Sequence, residues 1–119
     1  MTVSGLLSNL QYRGEAVGLR QTYHVFEGSH HFVVLSFSRT KADSGNFNIV
    51  EAEALKYVRA KFAGEMGLTA KELHNRCRRP QYVKTPLEAL NILYILVALD
   101  QAQLDHRFEA RELHFNIKP

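Results

Sequence analysis

At 119 residues, with 45% apolar and 23% charged residues, the chain has the size and composition of an ordinary globular domain with room for a genuine core. A single cysteine, Cys77, excludes an internal disulfide framework and fits a reducing cytoplasm, and the opening MTVSGLLSNL lacks the basic segment and long apolar run of a secretion signal. A net charge of +3 and a pI near 9.2 permit a polyanionic partner without arguing for one.

Residues 1–19 are broken up by Ser4, Gly5, Ser8, Asn9, Gly14 and Gly18. They read as a loose arm with one short strand around Leu10 to Arg13, or as a segment that pairs with a partner chain. From Arg20 the chain turns β. RQTYHVFE, residues 20–27, puts Tyr23 and Val25 on one face and Thr22, His24 and Phe26 on the other. Gly28-Ser29-His30 is a turn, and HFVVLSFS, residues 31–38, is the strongest strand, with Val33, Leu35 and Phe37 on one face and Phe32 and Val34 on the other. A polar loop, Arg39 to Gly45, leads to a third short strand, Asn46 to Val50.

The period then becomes helical. Ala54, Leu55, Val58 and Phe62 recur at helical spacing and predict an amphipathic helix from Glu51 to Ala63, ended by Gly64 and Gly67. Thr69 and Glu72 form a T-x-x-E capping box that opens a short helix carrying Leu73 and Cys77 inward, stopped by Pro80. RRPQYVK, residues 78–84, links it to a third helix with Thr85 as N-cap, Pro86 in its first position and Glu88 closing a second T-x-x-E box. Stepping ~100° per residue, Leu90, Leu93, Tyr94 and Val97 form one apolar face and Ala89, Ile92, Leu96 and Leu99 the opposite one. Glu88, Asn91, Ile95 and Ala98 are left as a narrow polar or small stripe expected to face out. Two apolar faces need two packing partners, so this helix is the core, clasped between the amino-terminal sheet and the smaller helices. It is too short for the ~20 apolar residues of a membrane span. After Asp100 the period is two: Leu104 and His106, then Leu113, Phe115 and Ile117, form two runs joined through Phe108–Arg111 as a hairpin.

The stretch LTAKEL, followed by TPLEALNILYILVALDQAQLD and the alternating RELHFNI, resembles a winged helix-turn-helix domain over residues 51–118. The resemblance implies an α+β fold: a three-helix core with a C-terminal β-hairpin as wing, and the β region of residues 1–50 as an antiparallel hairpin or sheet packed on the central helix. It further implies that Thr69 to Arg78 braces the third helix, that Thr85 to Leu99 lies in the major groove of DNA, and that the wing, Gln103 to Ile117, touches the backbone. Asn91 is then the side chain suited to base edges.

Arg76, Arg78, Arg79 and Lys84 cluster around the link, with Arg107 and Arg111 on the wing and Arg39 and Lys41 on the β loop. They form either a phosphate clamp on double-stranded DNA, used by a dimeric regulatory module, or a solvated charge run that complements a helix C-terminus. The alternative function is a protein-interaction module for dimerisation or adaptor binding, its surface marked by Ile95, Ala98 and the two-faced strand residues Phe32 and Val34. No enzyme is expected. His30-His31 lacks the converging ligand set of a metal site. His74 and Cys77, at i and i+3, share a helix face that a Cys–His pair needs, but a buried cysteine beside an exposed histidine is the commoner arrangement. His106 and His114 on the wing could tune a surface near neutral pH, solvated strand residues being the default. Asp43, Glu51 and Glu53 lack paired catalytic spacing. No cofactor, metal, small-molecule ligand or membrane partner is expected.

Overall fold

A computed structural model describes residues 9–19, 21–38, 45–107 and 112–119. The fold is α+β. Four strands, β1 (Gln11–Val17), β2 (Gln21–Glu27), β3 (His31–Ser38) and β4 (Gly45–Glu51), make an antiparallel meander in the order β1-β2-β3-β4. Three helices follow, α1 (Ala52–Lys61), α2 (Ala70–Arg76) and α3 (Pro86–Ala98), and then a two-stranded sheet of β5 (Ala102–Leu104) and β6 (Phe115–Ile117).

The first strand is longer than the short piece expected at Leu10 to Arg13, and it pairs with β2 of its own chain. A bulge explains why alternation hid it. The register slips between Tyr12 and Gly14, so Tyr12 and Val17 share one face of the sheet while Ala16 points to the other. The rest of the meander follows the alternation of the sequence, and the Ala52 amide donates to the His30 carbonyl at 3.0 Å, tying the start of α1 to the β2–β3 turn.

Helix α3 is the spine. Ala89, Ile92, Leu93, Ile95 and Leu96 have no exposed surface, and one continuous core joins them to Val25 and Phe32 of the sheet, Val58 and Phe62 of the α1 region, Leu73 of α2 and Phe115 of β6. Tyr94 stacks on Tyr23 with ring centroids 4.0 Å apart, and burial pushes its phenol well above the usual range. Both T-x-x-E sequences cap helices, in different ways. Thr69 and Glu72 form the reciprocal box. At α3, Thr85 Oγ1 accepts from the Glu88 amide at 3.1 Å, but the Glu88 carboxylate takes the Lys84 amide at 2.8 Å instead of closing on Thr85.

Between α1 and α2 the chain runs beside β6. Leu68 and Phe115 exchange both backbone hydrogen bonds at 2.8 Å, and Ile117 donates to Glu65. β5 lies on the other side of β6, with Leu104 opposite Phe115. The Phe108–Arg111 link expected between the two strands lies outside the described residues.

Candidate functional site

The described basic residues differ in their partners. Arg76 makes a two-pronged contact with Glu65, at 2.6 and 2.5 Å, and its guanidinium lies 5.1 Å over the Phe62 ring. That contact holds the Glu65 carboxyl below its ordinary range. Arg107 is folded back on Asp105, with Nε 2.9 Å from Oδ1 and Nη2 2.5 Å from Oδ2, while its amide also donates to Oδ1. The Asp105 carboxyl is buried and held far below the usual carboxylate range by this hydrogen bonding. Lys84 is exposed but shares a crevice with Glu51 and Glu88. Arg78 and Arg79 are exposed and, among the described residues, have no acidic partner. Arg39, Lys41 and Arg111 lie outside the described residues.

The link carrying Arg78 and Arg79 is itself well built. The Arg78 amide donates to the Tyr57 hydroxyl at 3.0 Å, the Arg79 carbonyl accepts from the Tyr82 amide at 2.9 Å, and the Cys77 thiol donates to the same carbonyl at 3.3 Å. His74 turns to the Lys84 carbonyl instead of pairing with Cys77.

The stripe of α3 expected to face out faces in. Asn91 is buried and donates to the Leu87 carbonyl at 3.0 Å, so it cannot reach a base edge. Ile95 is fully buried by its own chain, and Ala98 is covered by β1, whose Gly14 sits so close that a Cβ there would lie 2.9 Å from the Ala98 carbonyl oxygen. The physical reason is close packing. Small side chains along a helix mark the line where the sheet backbone can approach, and here the amino-terminal sheet lies along it. The face of α3 that a groove-reading helix needs is therefore occupied. Phe32 and Val34 are also core residues, on the inner face of the sheet. None of the four positions expected to mark a protein-binding surface offers a free one.

The open surface is the other face of the same strands. The register places three cross-strand rows on it: Tyr12, Phe26, Val33 and Ile49; Glu15, His24, Leu35 and Phe47; Val17, Thr22, Phe37 and Gly45. Eight of these twelve positions are large apolar residues (Val33 among them is buried, and Phe26 and Leu35 half-buried), none is lysine or arginine, and the one carboxylate is Glu15. Tyr12, Val17, Phe37, Phe47 and Ile49 are 42–55% exposed and account for five of the eight exposed large apolar side chains among the described residues. Ring contacts knit the surface together: Tyr12 meets Phe26 edge-on at 5.2 Å, and its hydroxyl lies 3.2 Å from His24 Nδ1. A sheet in water normally alternates apolar-in and polar-out; strands apolar on both faces belong to sheets covered on both sides.

A smaller apolar crevice lies beside the first turn of α3, lined by Leu19, Pro86, Leu87, Leu90 and Leu113 with Lys71 and Glu112 at its edge. No group of three or more histidine, cysteine or acidic side chains that could hold a metal ion occurs among the described residues, and none of their helices is long and apolar enough to cross a membrane. His31 is buried and His30 exposed; His106 is exposed, and the His114 carbonyl accepts from the Asp105 amide. Comparison with protein-family models, curated proteins and solved structures finds no match to this chain.

Proposed function

We propose that the protein is a non-enzymatic interaction module that binds another polypeptide through the outer face of its four-stranded sheet. The observation that carries this reading is that the exposed apolar side chains of the three rows are contiguous, Tyr12, Val17, Phe37, Phe47 and Ile49 sharing one sheet face, where surface apolar residues are ordinarily scattered singly. A reducing, cytoplasmic setting accords with the single cysteine. The element order over residues 51–118, three helices and a strand pair with the Leu68–Phe115 bridge beside it, supports the resemblance to a winged helix. In this reading that unit serves as the support on which the sheet is mounted, because the sheet covers its third helix.

A second reading, contact with the phosphates of double-stranded DNA, is favoured by the exposed Arg78 and Arg79 on a hydrogen-bonded link. Two exposed arginines release few counterions, so such binding would be weak and fade with added salt. One experiment separates the two. A diazirine photo-cross-linking residue is placed at position 47 or at position 78 and activated in living cells. Protein adducts from position 47, with no nucleic-acid adducts from position 78, are expected. Nucleic-acid adducts from position 78 and none of any kind from position 47 would put the DNA reading in its place.

A further inference from the structure

We propose that the occupant of the outer sheet face is a second copy of this chain, the two sheets stacking face to face about a two-fold axis. The inference deepens the interaction reading above and rests on it.

Charge narrows the partner first. With no lysine or arginine in the three rows, and with Glu15 on the edge strand β1 and Glu51 at the end of the opposite edge strand β4, the surface would repel a polyanion. A strongly basic partner would find one carboxylate in twelve positions. An apolar centre with its charges at the edge is the composition of a homodimer interface, whose core is depleted of charged residues.

Shape narrows it further. Four strands spaced ~4.8 Å apart present a face roughly 19 Å wide. A single partner helix, ~10–12 Å across with its side chains, covers about half of that. A second sheet of the same width and twist covers all of it, at the aligned angle of about −30° that twisted sheets adopt when stacked. A copy of this chain supplies such a sheet. At ~3.3 Å per residue the seven-residue strands are about 23 Å long, a footprint of roughly 440 Å² on each copy before side-chain relief is counted. Summed over two copies and allowing for that relief, this reaches the ~1,000 Å² that separates a genuine interface from incidental contact. Face-to-face pairing about a two-fold axis is also self-limiting, since each copy uses its face once.

The test is the mass of the purified chain in solution, by sedimentation equilibrium or light scattering over a range of micromolar concentrations. The expected mass is twice 13.6 kDa. Phe37→Glu combined with Phe47→Glu is expected to give the single-chain mass while keeping a cooperative thermal transition, because both side chains are more than half exposed in the isolated fold. Met66→Glu, at an exposed apolar position between α1 and α2 and outside the sheet, should stay dimeric. A dimer that survives the double substitution overturns the proposal. So does a parent that is monomeric throughout. In that last case, adducts from position 47 to a different protein in cells would leave the interaction reading standing and their absence would remove both.

Discussion

Ile95→Ala is expected to lower the free energy of unfolding by about 2–5 kcal/mol, the range for truncating a fully buried branched aliphatic side chain. The mass of the folded protein in solution should stay the same. The residue lies on the one stripe of α3 that its own periodicity marks as the outer side, and an interface role there would give the opposite pair of results: near-normal stability and a changed mass. Ile95 has no exposed surface and belongs to the same core as Val25, Phe62 and Phe115. Removing three carbons there leaves a void between the sheet and the helices, and close-packed neighbours collapse into such voids only in part. Denaturant melts of parent and variant, paired with light scattering on the same samples, separate the two cases.

Gly14→Val is expected to destabilise the fold by at least about 1–3 kcal/mol, the cost of holding a branched residue in a region of backbone space that suits glycine. Gly14 has φ +137°, and a Cβ at this position would lie 2.9 Å from the Ala98 carbonyl oxygen, a backbone atom that cannot swing aside. Strain and clash act together, at the point where β1 crosses the end of α3. Gly64→Ala is the comparison. Its φ is +82° but nothing lies within 4 Å of the added carbon, so it should cost only the 1–2 kcal/mol or so of the left-handed conformation. Thermal melts in which the two variants lose equal stability would show that β1 does not press on α3 as described.

These two positions also show where local pattern stops being informative. The alternation from Gln21 to Ser38 and the helical spacing from Ala54 to Phe62 are set by short-range geometry, and the strands and helices follow them. The bulge at Gly14 breaks period two within a single strand, which is why β1 reads as an arm with a fragment of strand. Asn91 and Ala98 are ambiguous for a different reason. A small or polar residue on a helix suits solvent, and it equally suits a close backbone approach in which the side chain finds a partner within its own helix, as Asn91 does on Leu87.

The outer face was half legible. Both faces of the third strand read as apolar, but nothing local says which of them the protein's own helix will take. It takes the Phe32/Val34 side and leaves Leu35 and Phe37 on the open side, with Val33 on that side too but buried, so the residues expected to mark an interface and those of the open surface lie on opposite sides of one strand. The ion pairs divide similarly. Asp105 and Arg107 stand two apart, near neighbours by sequence alone, and the turn that follows β5 folds Arg107 back on Asp105 where alternation predicts continued strand. Glu65 and Arg76 are brought together only by the path of the chain from the end of α1 to the end of α2.

The account turns on α3 being covered along its Asn91–Ala98 stripe by the amino-terminal sheet, leaving the sheet's other face as the open one. Amide hydrogen exchange, read residue by residue through α3 under native conditions, tests this most directly. The account predicts that the amides of Ile92 through Leu96 exchange only by global unfolding, with free energies equal to that from denaturant melts and with the central amides of β2 and β3 opening in the same step. Exchange of those α3 amides through a smaller opening, with β2 and β3 still protected, would contradict it.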